Sequence, residues 1–156
     1  FNVYGPNEWH KGDMRSMVCK GYEQIRDTGK VRLFKSDRPD FPDGGQRRDF
    51  LYVHDAVNMT LWLLDHPEHC GIFNVGTGAS ADWNRLMHAI FAALNTMPKI
   101  EYFDMPLEIA KAYQYDTCAD MAKLFAAGYS LPAMPVEDAV RDYVLNHLEP
   151  GKHLGR

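Results

Sequence analysis

The sequence predicts an α/β fold, and three observations lead to that class. Short apolar runs of strand length alternate along the chain with segments of helical periodicity, an order typical of α/β proteins. The 156 residues are 46% hydrophobic, which is enough for one core. Neither an internal repeat nor a low-complexity segment divides the chain. We therefore expect one domain over residues 1–149, followed by a disordered tail at 150–156.

The strands are predicted from short apolar runs that end at glycine, proline or polar residues. Such runs occupy residues 1–4, 31–34, 49–53, 72–75 and 100–103. The intervening loop at 36–46 is rich in Pro, Asp and Gly, so we expect it at the surface.

The helices are predicted where apolar residues recur every three or four positions, most clearly over residues 83–94. Asp13 is placed to cap a first helix that ends before Gly29, and Thr117 and Asp120 have capping-box spacing before a helix that Gly128 ends. A last helix begins at Pro135. In the second helix, 55–65, three residues are predicted to point inward: Val57, Leu61 and Leu64.

Composition excludes several classes of partner. A net charge of −4 and a pI near 5.9 give no support for binding to nucleic acid or to a membrane surface. Three scattered cysteines favour neither disulfides nor a zinc site, which indicates a reducing cytoplasm. His66, His69 and Cys70 resemble metal ligands by type but lack a second cluster, so we expect a surface turn and no metal.

Three motifs together resemble the extended short-chain dehydrogenases, the family that includes NAD-dependent nucleotide-sugar epimerases and dehydratases. They are the strand-turn FNVYGP at 1–6, the stretch RDFLYVHD at 48–55 and the turn FNVGTG at 73–78. Within that family, the loop HKG at 10–12 is most similar to the branch that acts on ADP-heptose. The likeness continues through IEY at 100–102, YQ at 113–114 and AAGY at 126–129.

The resemblance implies that this chain is the C-terminal, substrate-binding part of such an enzyme, with a few strands of the Rossmann sheet and small mixed α/β elements. The chain starts without methionine inside a predicted strand, which also suggests truncation. Neither the glycine fingerprint of a dinucleotide site nor the family's Tyr-x-x-x-Lys pair occurs in the sequence. We therefore expect the N-terminal Rossmann half to be absent and the chain to be inactive alone. The missing half would bind most of the cofactor, NADP (or NAD), and the full-length enzyme is expected to be a homo-oligomer.

The resemblance also assigns roles to residues of this chain. Lys11 would be a catalytic proton-transfer residue near the cofactor, and Val3 would touch the nicotinamide. Arg48 would hold the diphosphate of the nucleotide sugar, and Tyr113 would pack near the nucleotide. The remaining substrate contacts would be Asn2, Asp13, Lys20, Phe34, Lys35, Ser36 and Asp37.

Each of these roles has a plainer alternative. A lysine acts as a base only when burial or neighbouring charges lower its pKa, so Lys11 could be a solvated loop residue. A guanidinium can bridge two phosphate oxygens, but Arg48 could equally be a surface residue paired with Asp49 or Asp43. The turn at 74–78 lacks the lysine of a phosphate-binding loop, so we expect it to be structural, and Trp83 is expected to belong to the core.

Two other functions remain open at this stage. The first is a UDP- or GDP-sugar epimerase or dehydratase of the same family, in which the loop at 36–46 would recognise a different nucleotide base. A non-catalytic module that binds a sugar nucleotide would keep the pocket without the cofactor half.

Overall fold

The structure is a computed structural model, and it describes residues 1–152. Within that range the chain forms short strands interleaved with helices. The strands are β1 (Asn2–Tyr4), β2 (Val31–Phe34), β3 (Arg47–Arg48), β4 (Phe50–Tyr52), β5 (Ala81–Asp82) and β6 (Ile100–Phe103). The α-helices are α1 (Met17–Thr28), α2 (Val53–Asp65), α3 (Trp83–Ala93), α4 (Leu107–Ala110), α5 (Ala122–Ala126) and α6 (Val136–Tyr143). A 3-10 helix spans Trp9–Met14, and a π-helical turn continues α6 over Val144–Leu148.

The strands of residues 1–152 pair in twos, and each pair joins distant parts of the chain. β1 runs parallel to β4, with Val3 opposite Leu51, and β2 runs parallel to β6, with Leu33 opposite Tyr102. β3 and β5 are antiparallel. Parallel pairs need crossover connections that contain helices, which explains the alternation seen in the sequence.

Two apolar clusters hold these elements together. The larger one joins α1, α3 and α6 to the first strands, and α6 contributes Ala139, Val140 and Tyr143 to it, as the periodicity predicts. The smaller one lies between α2 and α5 and contains Met59 and Leu124. The larger cluster is therefore the support of the surface formed by β1, α1 and α3.

The predicted start of the first helix is wrong. Asp13 lies in the 3-10 helix, and the cap of α1 is Ser16, whose hydroxyl accepts a hydrogen bond from the Cys19 N–H at 3.3 Å. The apolar spacing from Met14 onward hides the break, because a 3-10 turn also repeats every three residues. The predicted end is confirmed, since Gly29 closes the helix in the left-handed conformation.

The inward face predicted for α2 is also wrong. Val57, Leu61 and Leu64 are 47%, 51% and 73% exposed, whereas Met59 and Asp55 face the protein. Periodicity identifies an apolar face on a helix, but it does not show which described element covers that face.

Two further local predictions fail in the middle of the chain. Residues 72–75 form no strand within the described range, and Ile72 is 89% exposed. Thr117 and Asp120 form no capping box: α5 begins after Met121, and the Asp120 carboxylate accepts instead from the Ala122 N–H at 2.9 Å.

The described part of the chain ends shortly after the π-helical turn. Residues 149–151 form a turn, and residues 153–156 of the tail predicted at 150–156 lie outside the described residues. None of the helices in residues 1–152 has the length and apolarity needed to span a membrane.

Candidate functional site

Two adjoining cavities lie beside Met17, the first residue of α1, and Trp83, the first residue of α3. The first, here the strand-end cavity, has a volume of about 230 Å³ and lies where β1 meets the start of α1. The predicted substrate residue Asn2 and the predicted cofactor contact Val3 both line it, and Val3 is 40% exposed. The remaining lining residues are Tyr4, Met14, Arg15, Ser16, Met17, Val18, Phe50, Trp83 and Leu86.

The second, here the aromatic cavity, has a volume of about 550 Å³. Its wall includes Phe34 and Tyr113, both predicted from the family resemblance to contact the nucleotide. Met17 and Trp83 line both cavities, so the two are neighbours that share a wall. The remaining lining residues are Gln24, Arg32, Leu33 and Phe103.

Arg48 lies beside that shared wall. The antiparallel pairing of β3 with β5 places Arg48 opposite Ala81, two residues before Trp83. Its guanidinium is 5.0 Å from the centroid of the Tyr113 ring and 5.9 Å from that of Trp83, within the range of cation–π attraction. Arg48 is only 9% exposed, so it is not the solvated surface residue of the alternative interpretation.

The aromatic side chains near Arg48 hold one another in place. The indole N–H of Trp83 donates a hydrogen bond to the Tyr113 hydroxyl at 3.1 Å. Phe34 lies 4.9 Å from Phe103 and 6.2 Å from Tyr113, measured between ring centroids. An apolar wall of aromatic side chains with a fixed cation at one end suits a planar ring that carries a negatively charged group.

Three of the predicted substrate contacts lie outside the cavity linings. The Lys35 ammonium donates to the Asp104 carboxylate at 2.9 Å, and this hydrogen bond raises the pKa of Lys35. The Ser36 hydroxyl donates to the Arg38 carbonyl at 2.9 Å, and Asp37 bonds with the Tyr115 hydroxyl. The structure therefore brings Phe34 to the aromatic cavity, whereas the next three side chains bond to Asp104, Arg38 and Tyr115.

Lys11, Asp13 and Lys20 line neither cavity. Lys11 and Asp13 are exposed on the 3-10 helix, and Lys20 is half-buried on α1. The end of the same loop, from Met14 to Ser16, forms part of the cavity wall. Lys11 is thus close in sequence to the cavity, while its catalytic role stays a prediction.

The turn at 74–78 surrounds a carboxylate of the protein itself. Asp49, which is fully buried, accepts hydrogen bonds from the Thr77 N–H at 2.8 Å, the Thr77 hydroxyl at 2.7 Å and the Gly78 N–H at 3.0 Å. It also accepts from the Ala119 N–H at 3.0 Å. With these donors engaged by Asp49, the turn is structural, in agreement with the sequence analysis.

Sequence reasoning missed two contributors to this site. Trp83 was predicted to be core, but it is half-buried and lines both cavities. Glu8 was given no role, although it is 2% exposed and accepts three side-chain or backbone hydrogen bonds. A glutamate beside a turn gives no sequence signal for burial, because glutamate is rarely buried.

The residues of the predicted metal-like cluster make other contacts. The His66 and His69 rings stack on Trp62, with centroid distances of 4.1 and 5.6 Å. In the part of the chain that the structure describes, no group of three His, Cys, Asp or Glu side chains could hold a metal ion.

Comparison with known proteins identifies the family. Residues 1–76 match the model of the NAD dependent epimerase/dehydratase family. The chain is 52% identical over 148 residues to an ADP-L-glycero-D-manno-heptose-6-epimerase from Nitratidesulfovibrio vulgaris, which covers 95% of the chain. The chain belongs to the NAD-dependent epimerase/dehydratase family.

Other members of this epimerase/dehydratase family support the assignment. An ADP-L-glycero-D-manno-heptose-6-epimerase from Alkalilimnicola ehrlichii is 45% identical over 92% of the chain. The crystal structure of the Helicobacter pylori ADP-L-glycero-D-manno-heptose-6-epimerase superposes with a TM-score of 0.75 at 25% identity, covering 94% of this chain and 41% of that one. The chain spans about half the length of the curated relatives it matches: 46% of the Nitratidesulfovibrio protein and 44% of the Alkalilimnicola protein.

Proposed function

We propose that this chain is the substrate-binding, C-terminal part of an ADP-L-glycero-D-manno-heptose 6-epimerase, a cytoplasmic enzyme of lipopolysaccharide core synthesis. The names and the 45–52% identity of the curated relatives support this assignment. The observation that carries it in the structure is the position of Arg48, stacked on Tyr113 beside a wall shared by two cavities.

The arrangement suggests how the substrate lies. The adenine ring lies against the aromatic side chains that line the second cavity, among them Phe34 and Tyr113. The diphosphate lies at Arg48, whose planar guanidinium can donate to two phosphate oxygens at once. The sugar then extends toward the strand-end cavity, where Asn2 offers a side-chain amide that both donates and accepts hydrogen bonds.

Epimerisation requires proton transfer on a hydroxyl that points in opposite directions in the two epimers. Two acid–base groups on opposite sides of the sugar suit this requirement, and we propose Lys11 as the one that this chain supplies. Removal of hydride from the sugar carbon and its return to the other face of the ketone are the chemistry that a bound nicotinamide supplies. Lys11 is exposed here, so we expect bound substrate to bury it.

The residues present fit the nicotinamide end of such a cofactor and little more. Val3 offers a partly exposed apolar contact at the end of β1. The sequence has no glycine fingerprint, so we propose that most of the cofactor is bound by residues outside these 156, in an enzyme that assembles as a homo-oligomer. The choice of NADP over NAD rests on the family resemblance, and we expect this chain alone to be inactive.

A thermal-shift titration with ADP-, UDP- and GDP-linked sugars tests the proposed substrate. A ligand that binds only the folded state stabilises it by about 2.7 kcal/mol at a hundred times its Kd, so selectivity is read directly from the melting temperature. We expect a shift with ADP compounds that is lost in Arg48→Ala and kept in the control Arg47→Ala, whose arginine is exposed and pairs with Asp116. A preference for UDP or GDP compounds would keep the family and change the substrate. If none of these compounds shifts the melting temperature of this chain or of an upstream-extended chain, the proposed binding pocket is wrong.

A further inference from the structure

The loop that carries Lys11 is closed by one buried carboxylate. This loop, here the lysine loop, comprises residues 8–16 and connects β1 with α1. Glu8 stands at its first position and is 2% exposed. One carboxylate oxygen accepts from the Ser16 N–H at 2.6 Å, and the other accepts from the Ser16 hydroxyl at 2.5 Å. The two ends of the loop are therefore joined directly through a single side chain.

The same carboxylate fastens the loop to the core. The Tyr143 hydroxyl, on α6, donates to the Glu8 carboxylate at 2.8 Å, and both groups are buried. The Glu8 carbonyl accepts from the Lys11 N–H at 3.0 Å, which fixes the turn that presents Lys11. Burial of a carboxylate costs free energy unless donors satisfy it with hydrogen bonds. The buried position of Glu8 therefore depends on its donors.

The N-terminus of α1 stabilises the negative charge of the Glu8 carboxylate. Ser16 caps α1, and the N-terminus of a helix attracts negative charge through its free N–H groups and its dipole. Burial and the negative charge of Glu8 raise the pKa of the Tyr143 hydroxyl, which keeps it a donor at neutral pH. Glu8 thus links three features: the turn at Lys11, the start of α1 and the face of α6.

We propose that Glu8 is the positioning residue of this site: it holds the lysine loop closed, and so fixes both Lys11 and the wall of the strand-end cavity from Met14 to Ser16. The part concerning Lys11 and the sugar rests on the proposed function, whereas the closure of the loop does not. Glu8 acts through the backbone of the loop and does not line either cavity.

Amide hydrogen exchange on this chain tests the closure. In Glu8→Met, which keeps the length of the side chain but removes both acceptors, we expect the amides of residues 9–16 to exchange about tenfold or more faster than in the wild type. Glu8→Gln should stay near the wild-type rates, because its amide oxygen can accept from the Ser16 N–H while its NH₂ donates to the two hydroxyls. Should Glu8→Met fail to fold, Tyr143→Phe removes only the link to α6, and we expect a smaller acceleration in the same residues.

A matched control separates the loop from general destabilisation. Glu149 also accepts from a tyrosine, the Tyr22 hydroxyl of α1 at 2.7 Å, but it is exposed and lies at the C-terminal end of the π-helical turn. Glu149→Met should leave the exchange of residues 9–16 unchanged. Equal acceleration in α3 and in the loop, an unchanged loop in Glu8→Met, or a Gln variant as fast as the Met variant would overturn the proposal.

A binding comparison separates positioning from mere stability. Thermal shifts are measured with ADP and with ADP-glucose, and the extra shift given by the sugar is the quantity of interest. In Glu8→Met we expect the sugar increment to fall and the ADP shift to remain, whereas equal loss of both would contradict a positioning role. If neither this chain nor the upstream-extended chain responds to either compound, the proposed function fails, and the exchange rates alone decide whether Glu8 closes the loop.

Discussion

The guanidinium of Arg48 lies 5.0 Å from the ring centroid of Tyr113, although 65 positions separate the two residues in the chain. Tyr113 is fixed in turn by the indole N–H of Trp83. This arrangement keeps a desolvated cation at one orientation beside two cavities, which a surface arginine could not do. Recognition of an anion beside Arg48 therefore depends on the planar shape of the guanidinium as well as on its positive charge.

We expect Arg48→Lys to weaken the binding of ADP-linked sugars about tenfold or more, since an ammonium keeps the charge but loses the stacking and the paired donors. Isothermal titration against ADP-glucose measures the change. Arg47→Lys is the matched control, because Arg47 is exposed and its guanidinium lies 3.1 Å from the Asp116 carboxylate. Equal affinities of the wild type and the Arg48→Lys variant would remove Arg48 from the diphosphate site.

The helices that form the core were predicted from the sequence, whereas the contacts around Arg48 were not. The apolar repeat over 83–94 and the run after Pro135 predict α3 and α6 closely, because both helices bury one regular face. Arg48 and Trp83 lie close to each other because β3 pairs with β5. Each of these strands has two residues, which is too short for any alternation to be visible.

The failures on α1, α2 and the lysine loop have similar causes. Asp13 has the right residue type for a cap, but Ser16 takes that place because the 3-10 helix occupies the residues before it. Leu64 has the right spacing for a core position but is 73% exposed. Glu8 is buried because two donors of Ser16 and the hydroxyl of the distant Tyr143 meet at its carboxylate, and this arrangement depends on the tertiary fold.

Asp49→Asn should destabilise the protein by about 2–5 kcal/mol, because the fully buried carboxylate accepts four hydrogen bonds. An asparagine cannot replace it in either orientation, since its NH₂ group would face at least one backbone N–H of Thr77, Gly78 or Ala119. Urea unfolding gives the free energy of unfolding. Asp120→Asn is the control, and it should change stability by less than about 1 kcal/mol, since Asp120 is exposed. A comparable loss in both variants would show that the turn does not depend on Asp49.

Gly76→Ala should cost about 1–3 kcal/mol of stability through overpacking. A Cβ at this position would lie 2.4 Å from the Ala119 Cβ and 2.9 Å from the Asp49 carboxylate. The double variant Gly76→Ala/Ala119→Gly removes the closer contact, so it should be more stable than the sum of the two single variants predicts. Strictly additive unfolding energies would mean that the two residues do not meet.

Asp142→Asn should make the stability of the protein less sensitive to acid. The Tyr52 hydroxyl donates to the Asp142 carboxylate at 2.5 Å, and this hydrogen bond, with further help from Asn146, lowers the pKa of Asp142 below its ordinary value of 3.8. A carboxyl whose pKa is lower in the folded state adds stability above 3.8, and that contribution is lost as the pH falls from 3.8 through the folded value. Urea unfolding at pH 5 and pH 3 measures the loss, which should be larger in the wild type than in Asp142→Asn. Asp138→Asn, on the exposed side of the same helix, should behave as the wild type does; if instead Asp142→Asn matched the wild-type loss, the link between Tyr52 and Asp142 would contribute nothing to acid stability.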